Sequence, residues 1–206
     1  MAIDGHNGDT RFMRKLSGGT ATAVAALALA AISTFADMIW ALWIPAHRAI
    51  FGLLHGALLF MLMGVVLGVL AARRSDTDAG NPILQGAVGE LLAGLGGAAA
   101  FYALFGAIGW AAMFVAWMWV WMVTAFVNRW LRGGTEGLGI TLGRGIAAAV
   151  LSGVAFWAIS GIWLDGSTRN PDYVRNFVSW FVAFAPGFAC LLLEPAASGR
   201  TRPVPR

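Results

Sequence analysis

A single cysteine, Cys190, excludes an intrachain disulfide and a thiolate metal cluster. It lies in an apolar stretch and reads as a small packing residue. Histidine is almost as scarce, with three in the chain. His47 and His55 fall on one predicted helix, about 12 Å apart along its axis, so they cannot share one metal or one haem. No other apolar stretch contains a histidine, so neither a metal nor another cofactor is expected. Charge is sparse as well. Only 12% of residues are charged, against about 25% in a soluble domain. HExxH, G-x-S-x-G and the phosphate-binding G-x-x-x-x-G-K-[ST] loop are all missing. Nothing in the chain therefore reads as an enzyme signature. Gly133, Gly134, Gly137 and Gly139 loosely resemble a nucleotide-binding glycine loop. They sit between two apolar stretches instead of following a strand, which argues against a nucleotide site.

Apolar sequence is what the chain does have: 59% of 206 residues and a mean hydropathy of +0.73. With so little polar surface, lipid is the expected solvent. Crossing the hydrocarbon core takes about 20 helical residues. Six apolar stretches meet that requirement, at about 18–44, 46–72, 82–108, 110–130, 144–164 and 173–193. They predict an all-α bundle of six spans forming one domain over 18–194. Tails of 1–17 and 195–206 flank it. The first stretch follows Arg11, Arg14 and Lys15, as in a signal peptide. It is too long for a signal core and lacks a clean cleavage site, so it is read as a retained span.

The fourteen Lys and Arg residues sort by side. With a cytoplasmic N-terminus, eleven fall inside, in the tails and loops around Arg73, Arg74, Arg129, Arg132 and Arg144. Arg48, Arg169 and Arg175 fall outside. The positive-inside rule predicts this partition, with both termini cytoplasmic. It suits a multi-pass protein of a bacterial-type cytoplasmic membrane. The same partition accounts for the pI of 10.2 without nucleic acid. The eleven inner cations are read as topology and little else.

Local signals place the turns. Pro45 opens the second span, and Asn81-Pro82 caps the third. Gly109 marks a tight turn, and 131–143 read as a glycine-rich loop. Pro186-Gly187 interrupts the last span and predicts a kink there. Gly52, Gly56, Gly64 and Gly68 form a small-residue ridge on the second span. It predicts close helix packing, within the chain or against a second copy or a complex partner. Gly86, Gly89, Gly94, Gly96 and Gly97 make the third span a thin helix.

Charges that do not belong to loops are candidates for function, because ionisable groups are costly inside a membrane. His55 and Glu90 fall inside predicted spans expected to be neighbours. His55 is expected one or two turns from Glu90, within reach of a water-bridged link. The alternative for Glu90 is a carboxyl bonded to a backbone carbonyl, Thr124 or Asn128. Asp37, His47 and Arg48 form an outer cluster, with Asp37 and Arg48 placed to pair across the turn. In the fourth span Trp110, Phe114, Trp117, Trp121, Thr124 and Asn128 share one face. This stripe reads as a helix-packing surface or as a groove for a flat lipid. The leading functional expectation is a small transporter, or a proton- or ion-coupled pathway, using His55 and Glu90. A structural subunit of a larger membrane complex is the first alternative. A binder of quinone, carotenoid or other lipid is the second.

Overall fold

The computed structural model describes residues 18–43, 48–72, 81–160 and 172–193. Among them are six α-helices: α1 (Gly18–Trp43), α2 (Arg48–Ala72), α3 (Pro82–Ile108), α4 (Ala112–Leu131), α5 (Leu138–Ser160) and α6 (Tyr173–Leu192). A 3-10 turn, Gly109–Ala111, joins α3 to α4. Five stretches are long and apolar enough to cross a membrane. One of these, Pro82–Leu131, is 50 residues long and contains both α3 and α4. Leu, Ile, Val, Phe and Trp side chains cover much of the outer surface, among them Leu84, Val154 and Trp157. Such a surface is compatible with a protein embedded in lipid.

Each helix packs on the next in chain order, and α6 returns to α1. The helices thus form a closed ring, and α4 reaches across it to touch α2 and α6. Successive helices alternate in direction. One rim of the bundle carries Asp37, Gly109 and Asp172 and is called the Asp37 end. The other carries Ala72, Asn81 and Glu136 and is called the Glu136 end.

Glycine sets how closely α2 and α3 approach. A Cβ built on Gly64 would overlap the Gly86 carbonyl, and one on Gly86 would overlap the Gly64 carbonyl. A Cβ on Gly56 would lie 2.9 Å from the Gly94 oxygen, and one on Gly68 would overlap Pro82. In each pair the residue numbers sum to 150, the signature of one antiparallel register. Backbones this close gain dispersion contacts that larger side chains would prevent. The ridge on α2 is therefore occupied within the chain by α3. On the other side of α3, Gly89, Gly96 and Gly97 receive Val127, Trp119 and Val120 of α4. The thinness of α3 lets it sit tightly between two neighbours.

The α3 start follows its cap signal. Asn81 Oδ1 accepts from the Ile83 and Leu84 amides at 3.1 and 3.2 Å, with Pro82 next in the chain. Gly109 makes the tight turn at φ 57°, a left-handed conformation that glycine adopts without steric cost. Trp110 lies in that turn, so α4 begins at Ala112 and not at Trp110.

The glycine-rich segment differs from expectation. The turn covers only 132–137, and α5 begins at Leu138, six residues before the expected start at Arg144. Each helical glycine costs about 1 kcal/mol relative to alanine. Tertiary contacts outweigh that cost here. Gly137 O accepts from the Ile140 and Thr141 amides and starts the helix. Arg144 Nη1 reaches back to Glu136 Oε1 at 2.9 Å, and Arg129 Nε donates to Glu136 O at 2.7 Å. Gly145 then admits Met122 and Ala125 of α4.

The same cluster ties down α6. Asn128 Nδ2 and Arg132 Nη2 both donate to Leu191 O, at 3.3 and 3.2 Å. Arg144 Nη2 reaches Leu193 O at 3.5 Å. The last carbonyls of a helix lack intrahelical partners and favour cations. Arg129, Arg132 and Arg144 thus do more than mark topology: Arg129 holds the α4–α5 turn, and Arg132 and Arg144 join it to the end of α6. Arg144→Ala should leave Glu136 half-buried without its cation and cost about 1–2 kcal/mol. Thermal unfolding in detergent, with Arg129→Ala as comparison, would measure the difference.

Candidate functional site

Polar side chains meet at two levels inside the ring. The first lies near the Asp37 end, where α1, α2 and α6 converge. Asp37 Oδ2 accepts from Trp180 Nε1 at 2.8 Å and from Asn176 Nδ2 at 3.0 Å. Asp37 Oδ1 faces His55 Nδ1 at 3.9 Å. That is within ion-pair range but too long for a hydrogen bond. The His55 ring also lies edge-on to Trp180, 6.3 Å between centroids. Its Nε2 is buried and has no hydrogen-bond partner among the described residues.

Asn176 and Trp180 are four residues apart, so one face of α6 presents both donors. Asp172 caps that helix, accepting from the Arg175 amide at 3.0 Å. Arg175 Nε donates to Ile159 O at 3.0 Å, which fixes this end of α6 to α5. Asp37, on α1, thereby faces two other helices, α2 and α6, through one carboxylate.

Glu90 defines the second level. In the α2–α3 register it lies about five residues, or about 7.5 Å, from the level of His55. It is fully buried. Thr124 Oγ1 donates to its Oε2 at 2.8 Å, while Oε1 has no partner among the described residues. Gly86 and Gly94 lie four residues to either side, both in contact with α2. The carboxyl is thus held where α3 is pinned on both sides.

Sequence and structure can be compared residue by residue. Asp37 and His55 come together, and so do Glu90 and Thr124. No hydrogen bond or ion pair joins His55 to Glu90 among the described residues, although their helices pack together. His55 turns toward α1 and α6, whereas Glu90 turns toward α4. Asn128 is buried, but it serves the α6 terminus instead of Glu90. His47 lies outside the described residues, as does Pro45. Arg48 is the first residue of α2, and its side chain lies outside the described part. The expected Asp37–Arg48 pair therefore falls there too.

The aromatic stripe divides. Trp117 stacks on Trp121 at 6.3 Å, and both are buried. Trp117 also meets Phe156, Trp180 and Phe184, and Trp121 meets Phe188. Phe114 is exposed to 40%. Trp110 packs on Phe101 and Phe105 beside the turn. The two inner Trp residues thus stand in an aromatic core at about the His55 level, where Trp180 touches both His55 and Trp117.

Asn176 and Trp180 were missed from sequence. Their i, i+4 spacing is visible there, but nothing local shows that α6 docks on α1. Glu136 was missed because the segment holding it, 131–143, reads as a loop, and Arg144 was read only as an inner cation at the start of the fifth span.

Comparisons with protein-family models, with curated proteins and with solved structures give no match to this chain. The functional reading therefore rests on the residues themselves.

Proposed function

We propose that the protein is a small membrane-embedded pathway for protons or cations. All six helices cross the bilayer in this reading, α3 and α4 folding back at Gly109. The Glu136 end is cytoplasmic, because eleven of fourteen cations then lie inside. Both tails lie on that side, in a cytoplasmic membrane of bacterial type. Asp37, His55, Asn176 and Trp180 form the outer mouth. Glu90 is the acceptor further in, and Asn128 and Arg132 stand toward the inner end.

One observation carries this reading. Among the described residues eight buried side-chain polar atoms lack a hydrogen-bond partner, and only two of them belong to ionisable groups, which lie at successive depths: His55 Nε2 and Glu90 Oε1. Buried polar groups are nearly always satisfied, so such exceptions call for a role. Ionisable residues inside membranes commonly serve relays.

The aromatic core favours a second reading, a structural subunit of a larger membrane complex. Purified protein in liposomes, with a pH-sensitive dye or a labelled cation inside, separates the two. The pathway reading expects wild-type flux that falls in Asp37→Asn and in His55→Ala while both variants keep their elution volume. Flux absent under every gradient, together with a co-purifying partner, would favour the structural reading.

A further inference from the structure

We infer that the species accepted at Glu90 is a proton and not a metal cation; this rests on the pathway reading above. A hard cation gives up its water only where several oxygens replace it, six or more for calcium. Channel filters meet the same demand with rings of carbonyls. Glu90 has one hydrogen-bonded oxygen neighbour, Thr124 Oγ1 at 2.8 Å. No salt bridge reaches it, and no group of three His, Cys, Asp or Glu side chains that could hold a metal occurs among the described residues. Backbone carbonyls on α2, α3 and α4 at this level belong to helices without an internal proline and are spent on their own helical bonds. Only α6 is interrupted, at Pro186, and one freed carbonyl falls far short of the roughly six oxygens a cation needs.

Space argues the same way. Four residues before Glu90, Gly86 meets Gly64; four residues after it, Gly94 meets Gly56. At both crossings a single methyl group would strike the opposing backbone. Phe60 also leans on the Gly94 position, and its ring lies 6.4 Å from that of Phe184. A hydrated ion finds no gap in that wall.

A proton needs neither ligands nor room. It needs one atom that can take and release it. Glu90 Oε1 is buried and unpartnered, while Oε2 stays anchored to Thr124. A proton arriving from the Asp37 end binds at Oε1, an O–H bond forms and the carboxylate charge is neutralised. The same bond breaks as the proton leaves toward the Glu136 end and the charge returns. Thr124 is a positioning residue: it fixes one oxygen so that the other stays free.

Wild-type protein in liposomes containing pyranine should change internal pH at the same rate in choline, sodium or potassium buffer. Labelled sodium should not enter. Glu90→Gln should slow the proton signal about a hundredfold, the scale of losing a positioned acid–base group. Thr124→Ala should slow it less and shift its pH profile, which covers the case in which Glu90→Gln fails to fold. Sodium uptake that disappears in Glu90→Gln would overturn the proton assignment and leave the pathway reading standing. So would a pH signal that requires sodium. Glu90→Gln at the wild-type rate would also overturn the assignment. No flux of either ion from wild-type protein would overturn both.

Discussion

Gly64→Ala should destabilise the protein by at least about 2 kcal/mol, at the upper range of overpacking effects. The added methyl would strike the Gly86 carbonyl, and both groups are held by helices. A crowded side chain can rotate away, whereas a backbone carbonyl moves only if its helix moves. Shifting α3 outward would separate Gly56 from Gly94 and press Gly96 toward Trp119 of α4. The strain would therefore spread to both sides of α3. Ala98→Gly, on the same face of α3, serves as comparison because it removes volume instead of adding it. Unfolding by SDS titration should show a large loss for Gly64→Ala and a small one for Ala98→Gly. Equal losses would show that the close α2–α3 approach does not limit stability.

Gly187→Ala should cost about 1–3 kcal/mol by the same physics, but with a different remedy. A Cβ there would overlap the indole of Trp121, which is fully buried. This collision involves a side chain, so a smaller residue opposite should relieve it. Trp121→Leu alone removes a large buried ring and should cost about 3 kcal/mol, the lower end of aromatic truncations. In that background, Gly187→Ala should be nearly neutral. A double-mutant cycle reads the coupling directly. Additive losses would mean that the Gly187–Trp121 contact does not set the approach of α6 to α4.

Why the helices could be read from sequence and their neighbours only partly follows from these two contacts. Gly52, Gly56, Gly64 and Gly68 announce a close partner by their spacing, and a short connection makes α3 the natural one. Gly187 carries no such pattern. Its partner, Trp121, lies 66 positions earlier, and Pro186 draws attention to a kink instead. The site divides in the same way. Glu90 and Thr124 come from consecutive helices, so their meeting was among the foreseen alternatives. Asp37 and Trp180 come from the first and last helices, whose adjacency depends on how the whole ring closes. Residues 131–143 failed for a local reason. Glycine spacing resembled a loop, whereas Glu136 draws on two arginines whose positions depend on the fold.

Ring closure has a consequence for how the protein is made. Helices α1 to α5 can dock in the order of synthesis, each on the one before. Only α6 must find a partner made long before it. Until it arrives, Asp37 lacks the donors of Asn176 and Trp180, and one flank of α1 stays uncovered. Closure is a long-range contact and should be the slow step of assembly. During that interval the α6 helix of a neighbouring chain could fill the vacancy on α1 by the same bonds. A domain-swapped dimer is thus the misassembly expected when closure is delayed.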